Sequence, residues 1–343
     1  MPPEANAETD CAQLEAEPGW EPLERAADGR PPYGFNDHAG LVGSIGVAED
    51  AELQAQAGST LWRVAIDWRF AEPERDELSL DTIDAIYCEG LTRGIRPIFH
   101  ITGSPEWAAQ PRGCPLVTCL YPPRKSQLGE LRELAATVAE RYPRAAAIEA
   151  WNEPNLATFW ADPDPRRYVD VLAAIDDGVE STGSAIPVLG GSLSNTGRND
   201  RTRVDFARFL RRMYAAGAAE HMDGLAFHPY PIAPLGEPGE RFTETMARLR
   251  RALRVADAGD EPIWVTEVGL PVGGDVGLRD QERTLAAIYD RLSADPDVVA
   301  VVFHTLLEGD SEAGAGNGFG WVEAGADGIE RRPVFERFAR ADR

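Results

Sequence analysis

Two short strings place ionisable groups where a chain normally keeps none. The first is Trp151-Asn152-Glu153-Pro154-Asn155, which follows the small, mostly apolar run AAAIEA at 145–150. The second is IWVTEV at 263–268, apolar until Thr266-Glu267. Burying an unpaired charge costs several kcal/mol, so such a carboxyl is paired, protonated or kept for chemistry. Two carboxyl groups across one cavity are what a glycosidic bond needs. One protonates the leaving oxygen and the other meets the oxocarbenium-like carbon. A separation of about 5–5.5 Å goes with a covalent glycosyl-enzyme and retention, whereas about 6.5–9.5 Å leaves room for water and inversion. A lone glutamate at a strand end is more often simply solvated. Two in matching positions, each near an indole, turn the balance toward chemistry.

The elements that must hold these groups alternate along the whole chain. Strand-type runs fall at 33–36, 61–67, 96–100, 146–152, 187–192, 224–228, 263–268 and 298–305. Helical periodicity is clearest after Asp164-Pro165, where Tyr168, Val171, Leu172, Ile175 and Val179 share one face behind an N-cap aspartate and a first-turn proline. A second stripe, Leu285, Ile288 and Leu292, begins near Asp280, and further helical patterns lie near 47–57, 79–93, 127–141, 203–217, 240–257 and 333–342. Eight strand–helix units imply parallel pairing with right-handed crossovers. The fold class is therefore α/β, a single (β/α)8 TIM barrel over 31–343, after a polar, loosely held lead-in at 1–30. In such a barrel chemistry sits at the C-terminal ends of the strands, and Glu153 and Glu267 end strands four and seven.

The string IEAWNEPNLATFW at 148–160 resembles the strand-four signature of glycoside hydrolase family 39, and with Thr266-Glu267 on strand seven it is similar to clan A of the retaining β-glycosidases. The resemblance implies Glu153 as acid/base, Glu267 as nucleophile and Asn152 as a hydrogen-bond partner of the sugar 2-hydroxyl. It further implies that Arg63 on strand two holds the nucleophile ionised, that His228 and Tyr230 on strand six flank it with the tyrosine supporting the nucleophile, and that His100 binds sugar. Two features depart from the family 39 pattern. Glu267-Val-Gly-Leu270 reads more like family 5 relatives or other clan A branches, and strand eight ends in Val302-Phe-His304, where most clan members carry a tryptophan floor for the −1 sugar. His304 then either takes that place or only packs. Trp107, Trp160 and Trp321 fall in inferred loops at the mouth and are candidates to line subsites; Trp62, Trp151 and Trp264 fall within strands and are expected to pack.

Bulk properties narrow the alternatives. Fifty-seven acidic against 34 basic residues give a net charge of -23, which repels phosphate backbones and anionic lipid, so neither nucleic acid nor a membrane surface is an expected partner. No apolar run approaches the roughly 20 residues that cross a bilayer, and the first ten residues are acidic rather than basic and then apolar, so the chain as written carries no export signal and reads as cytoplasmic by default. A disulfide between Cys114 and Cys119 would instead indicate export. Five scattered histidines do not form a metal motif, and GAGNGFG at 314–320 lacks the lysine and the strand-to-helix setting of a phosphate cradle, so no metal or cofactor is expected. The expected function is hydrolysis of β-linked oligo- or polysaccharides; the alternative is a barrel that binds carbohydrate without cleaving it. Nothing in the sequence sets the oligomeric state.

Overall fold

Eight strands follow one another around a closed barrel in chain order, every neighbour parallel, with the eighth paired to the first. The computed structural model describes residues 19–36, 45–231, 238–308, 318–325 and 328–339. The strands are β1 (Tyr33–Asn36), β2 (Leu61–Asp67), β3 (Arg96–Thr102), β4 (Ala147–Ala150), β5 (Val188–Ser194), β6 (Gly224–His228), β7 (Ile263–Val268) and β8 (Val298–Phe303). Between them lie α1 (Val47–Gln56), the single-turn α2 (Trp68–Ala71), α3 (Asp81–Leu91), α4 (Leu128–Arg141), α5 (Pro165–Ser181), α6 (Phe206–Tyr214), α7 (Pro238–Val255) and α8 (Leu278–Ser293). A hairpin, β9 (Val322–Gly325) with β10 (Gly328–Arg331), and α9 (Pro333–Ala339) follow β8. The single (β/α)8 barrel read from the periodicity is thus the observed architecture.

Local chemistry explains the boundaries. The Asp164 carboxylate accepts from the amides of Arg166 and Arg167, and Pro165 occupies the first turn, so α5 starts where the sequence places it. β4 is shorter than the expected 146–152 because Trp151 takes φ 71, outside the extended region. β3 and β5 run two residues further than expected, to Thr102 and Ser194.

Inside the barrel, Leu61, Ile98, Ala147, Leu189, Ala226, Trp264, Ala300 and Val302 fill the base with apolar side chains. The Trp264 indole passes so close to Gly224 that a Cβ there would lie 2.9 Å from it. Beneath this layer runs the segment 19–30. Trp20 donates to the Ala146 carbonyl at 3.1 Å, and the Arg25 guanidinium reaches the carbonyls of Ser293, Asp295 and Val298 at 2.8–3.0 Å. This part of the expected lead-in is therefore bound to the base of the barrel, while residues 1–18 lie outside the described residues.

At the other end, the loop after β3 is braced as its prolines and cysteines suggest. Cys114 and Cys119 form a disulfide with Cα atoms 5.8 Å apart, and Leu120 is hydrogen-bonded to both Thr158 and Ala161 of the next loop. Cys88 is also disulfide-bonded. In the loop after β8, 309–317 lie outside the described residues. The remainder is anchored rather than loose: Gly318 and Gly320 donate to the Glu308 carboxylate, which pairs with Arg332 at 2.9 Å.

Candidate active site

Glu153 and Glu267 come together at one site. One carboxylate oxygen of each and a ring nitrogen of His228 all lie within 4.8 Å of one another. His228 stands between the two glutamates, with Nδ1 3.0 Å from Glu153 Oε1 and 3.6 Å from Glu267 Oε2.

The cation that organises the site is Arg63, which is fully buried on β2. A guanidinium has five N–H donors in a fixed plane, and leaving any of them unpaired in a core is costly. Here all are matched. Nε and Nη2 form a fork on Glu149 at 2.8 and 2.9 Å, Nη2 also donates to Asn152 Oδ1 at 2.9 Å, and Nη1 donates to Asn36 Oδ1 at 3.1 Å and Glu267 Oε1 at 2.7 Å. Burial alone would weaken the charge on Arg63, but Glu149 and Glu267 outweigh it and strengthen it. Asp67, at the end of the same strand, pairs with Arg69 at 2.5 Å instead.

Glu267 receives Asn36 Nδ2 at 2.9 Å on the same oxygen as Arg63, and the Tyr230 hydroxyl at 2.8 Å on the other. Burial pushes this carboxyl up. His228, Arg63 and His304, together with the Tyr230 hydrogen bond, outweigh that and hold it at about 2. Tyr230 itself is driven well above the ordinary phenol value by burial and by Glu267 and Glu153, so it stays a donor. For His228, burial favours the uncharged ring, while Glu267 and Glu153 outweigh it and raise the pKa. Its Nε2 faces the Thr266 hydroxyl at 3.1 Å and the Ser192 hydroxyl at 3.3 Å.

The backbone after β4 aims Glu153 into this group. Trp151 at φ 71 and Glu153 at φ 40 are left-handed steps that only a well-supported chain holds. The support is local. The Trp151 indole donates to Phe159 O at 2.6 Å and packs edge-on against Trp160, while the Glu153 amide donates to Ser192 O at 2.9 Å. Asn155 ties this turn to β5 through both the carbonyl and the amide of Ser194.

Of the residues expected at the site, Glu153, Glu267, Asn152, Arg63, His228, Tyr230 and His304 are joined by this network. His100 is in register with Glu149, so it faces the same interior and is buried. Trp107 is bound to the connection after β2, donating to Glu72 O at 3.0 Å, edge-on to Trp68 and beneath Arg75. Two expectations are corrected: Trp160 and Trp321 do not line subsites. Trp160 is 1% exposed under Trp151, and Trp321 is 0% exposed among Phe35, Phe303 and Phe338, because both rings turn toward the core. Three network members escape a reading of the sequence: Glu149, Asn36 and Ser192. A lone polar residue inside an apolar strand is the only signal they leave.

Glu153, His228 and Glu267 have the spacing of cation ligands. However, Glu267 already accepts from Arg63, Asn36 and Tyr230, and His228 Nδ1 is engaged with Glu153, so the arrangement is suited to moving protons rather than to ligating an ion. No helix among the described residues is long and apolar enough to cross a membrane.

No protein-family model matches the sequence, and no curated protein matches it. Solved structures do. A family 39 glycoside hydrolase from the gut symbiont Bacteroides cellulosilyticus WH2 superposes with a TM-score of 0.69 at 21% identity, over 92% of this chain and 64% of that one. A monomeric β-xylosidase from Caulobacter crescentus CB15 gives 0.69 at 16% identity, over 94% of this chain and 69% of that one. A GH5_18 enzyme from Streptomyces cattleya gives 0.63 at 20% identity, over 91% and 80%. The chain thus spans less than two thirds of the length of the first of these. The likeness establishes a shared fold: this is a (β/α)8 barrel similar to those of family 39 and family 5 glycoside hydrolases.

Proposed function

We propose that the protein is a glycoside hydrolase that cleaves β-linked oligo- or polysaccharides with retention, using Glu267 as nucleophile and Glu153 as acid/base. The observation that carries this reading is the approach of the two carboxylates to within 4.8 Å, with His228 between them, at the C-terminal ends of β4 and β7. That proximity supports direct attack rather than the wider separation of an inverting site. The Glu267 carboxylate, ionised by its neighbours, attacks the anomeric carbon as the bond to the leaving oxygen breaks, and Glu153 gives that oxygen its proton. Glu153, now a carboxylate, takes a proton from water as the water displaces Glu267. Asn152 has its Oδ1 committed to Arg63, which leaves Nδ2 as the donor for a sugar hydroxyl. The Cys114–Cys119 bridge suits a compartment that keeps thiols oxidised.

Both carboxylates are present and lie together beside His228, so no observation favours a carbohydrate-binding barrel without hydrolysis. Incubation with aryl 2-deoxy-2-fluoro-β-glycosides, whose turnover stops at the covalent stage, followed by peptide mass analysis tests the reading. A glycosyl adduct on the peptide containing Glu267 is expected. Hydrolysis of ordinary substrates with the adduct elsewhere, or with inverted product in NMR, overturns it.

A further inference from the structure

The two oxygens of the candidate nucleophile are held unequally. Glu267 Oε1 accepts from Arg63 Nη1 at 2.7 Å and from Asn36 Nδ2 at 2.9 Å, whereas Oε2 accepts from the Tyr230 hydroxyl at 2.8 Å. A carboxylate oxygen offers two lone pairs, so among the described residues both are committed on Oε1 and one is left on Oε2. Oε2 is also the oxygen on the acid/base side. It lies 3.6 Å from His228 Nδ1, which is 3.0 Å from Glu153 Oε1. An anomeric carbon whose leaving oxygen is within reach of Glu153 therefore meets Oε2.

Besides Arg63, the group that pins Oε1 is an amide that no motif marks. Asn36 ends β1 in register with Arg63 and is 3% exposed. Its orientation follows from its neighbours. Arg63 Nη1 can only donate, so the atom 3.1 Å from it is Oδ1, and Nδ2 is turned to Glu267. Nδ2 also faces His304 Nδ1 at 3.3 Å, and the backbone carbonyl of Asn36 accepts from the Thr305 hydroxyl at 2.9 Å. The amide is thus fixed from β2, from β7 and from the end of β8. Arg63 divides its donors between Glu149 and Glu267, whereas the carboxylate that Asn36 serves is Glu267.

We propose that Asn36 is a positioning residue that acts through Glu267: its donor to Oε1 presents Oε2 for attack and stabilises the charge that returns to the carboxylate when the glycosyl-enzyme breaks down. This inference rests on the glycosidase reading above. In the covalent stage Oε2 is bonded to the anomeric carbon and Oε1 is the uncharged carbonyl of an ester. Water then adds to the anomeric carbon, the C–Oε2 bond breaks with its electron pair passing to the Glu267 carboxylate, and Glu153 takes the proton of the water. A hydrogen bond to an ionised acceptor is stronger than one to a neutral carbonyl, so the Asn36 donor gains strength as this step proceeds. In the first step the carboxylate is charged from the outset, and the donor has no such gain.

Aryl 2-deoxy-2-fluoro-β-glycosides separate the two steps. Inactivation measures formation of the Glu267 adduct, and recovery of activity after the excess reagent is removed measures its breakdown. Both are rate constants per active molecule, so loss of folded material cancels. Removing one hydrogen bond to an ionised group should slow reactivation of Asn36→Ala about tenfold more than its inactivation. Asn36→Asp keeps the size and the acceptor for Arg63 but turns a carboxylate oxygen to Glu267, and it supplies the same comparison, with the same sign at neutral pH, if the smaller side chain does not fold. On an activated aryl glycoside the asymmetry appears as kcat and KM falling together. A distortion of the site without this role slows both steps. Equal slowing of both, slowing of inactivation alone, or no change in either overturns the inference and leaves the hydrolase reading intact. A wild type that forms no adduct on Glu267 removes both.

Discussion

The base and the mouth of the barrel are two residues apart on the same strands. On β2 the change is from Leu61 to Arg63, on β3 from Ile98 to His100, on β4 from Ala147 to Glu149, on β6 from Ala226 to His228, on β7 from Trp264 to Thr266, and at the end of β8 from Val302 to His304. A strand returns to the same face every second residue, so these positions form two stacked interior layers. The lower layer is held by apolar burial, which is non-directional and tolerant. The upper layer is polar, and Arg63, Glu149, His228 and Thr266 in it are joined by directed hydrogen bonds to one another and to the two glutamates. Stability in the first depends on volume, whereas in the second it depends on whether every partner is present.

This contrast can be broken or sharpened by substitution. The largest effect is expected in the upper layer from Glu267→Ala, which should reduce kcat for every glycoside by roughly 10^4-fold or more, the scale seen when a covalent nucleophile is lost. Equal activity of this variant and the wild type would end the assignment. Glu153→Gln should cost about 10^2–10^4-fold on substrates with poor leaving groups and far less on activated aryl glycosides, which need no proton. A uniform loss across leaving groups would speak against an acid at this position.

Arg63→Met tests whether the upper layer stands or falls as a set. Removing the guanidinium leaves Glu149 and Glu267 buried without the cation they share, with an expected loss of about 3–5 kcal/mol in urea denaturation. Adding Glu149→Gln should recover part of it; additive losses would mean that the two are not coupled. In the lower layer, Trp264→Ala should cost a comparable 3–5 kcal/mol, roughly, by cavity formation, with kcat of the folded fraction little changed.

The smallest effect is in pH dependence. The folded pKa of Glu267, about 2, lies below its ordinary value of 4.5, so its contribution to stability is complete above 4.5 and is lost as pH falls toward 2. His228 is raised from 6.5, so its contribution is complete below 6.5 and is lost as pH rises through the raised value. Tyr230→Phe removes one hydrogen bond to Glu267, worth about 1 kcal/mol, and should move the acid-side loss upward by less than about one pH unit. An unmoved acid limb would show that the phenol does not stabilise the carboxylate.

Much of this molecule was legible before any coordinate. Four strand spans, 33–36, 61–67, 224–228 and 263–268, coincide residue for residue with β1, β2, β6 and β7, because apolar patterning and turn residues are local signals. Glu153 and Glu267 could be singled out because each ends an apolar run. Glu149 could not, although it lies four residues before Glu153. Inside AAAIEA nothing marks it as facing inward, and its partner Arg63 is 86 positions away. Asn36 was hidden for the same reason, with partners on β2 and β7. Trp160 and Trp321 show the opposite failure, since placing an indole in a loop does not say to which side of the loop the ring falls.

Sequence by itself determined the alternation of strands and helices, the order of the barrel and the two glutamates at strand ends, all properties of neighbours along the chain. Only the tertiary structure decided which polar side chains share a guanidinium, that a histidine stands between the two carboxylates, and that Asn36 bridges Glu267 and His304. Barrel closure brings together residues from different strands, and a hydrogen bond depends on a few tenths of an ångström and a direction that no local pattern specifies.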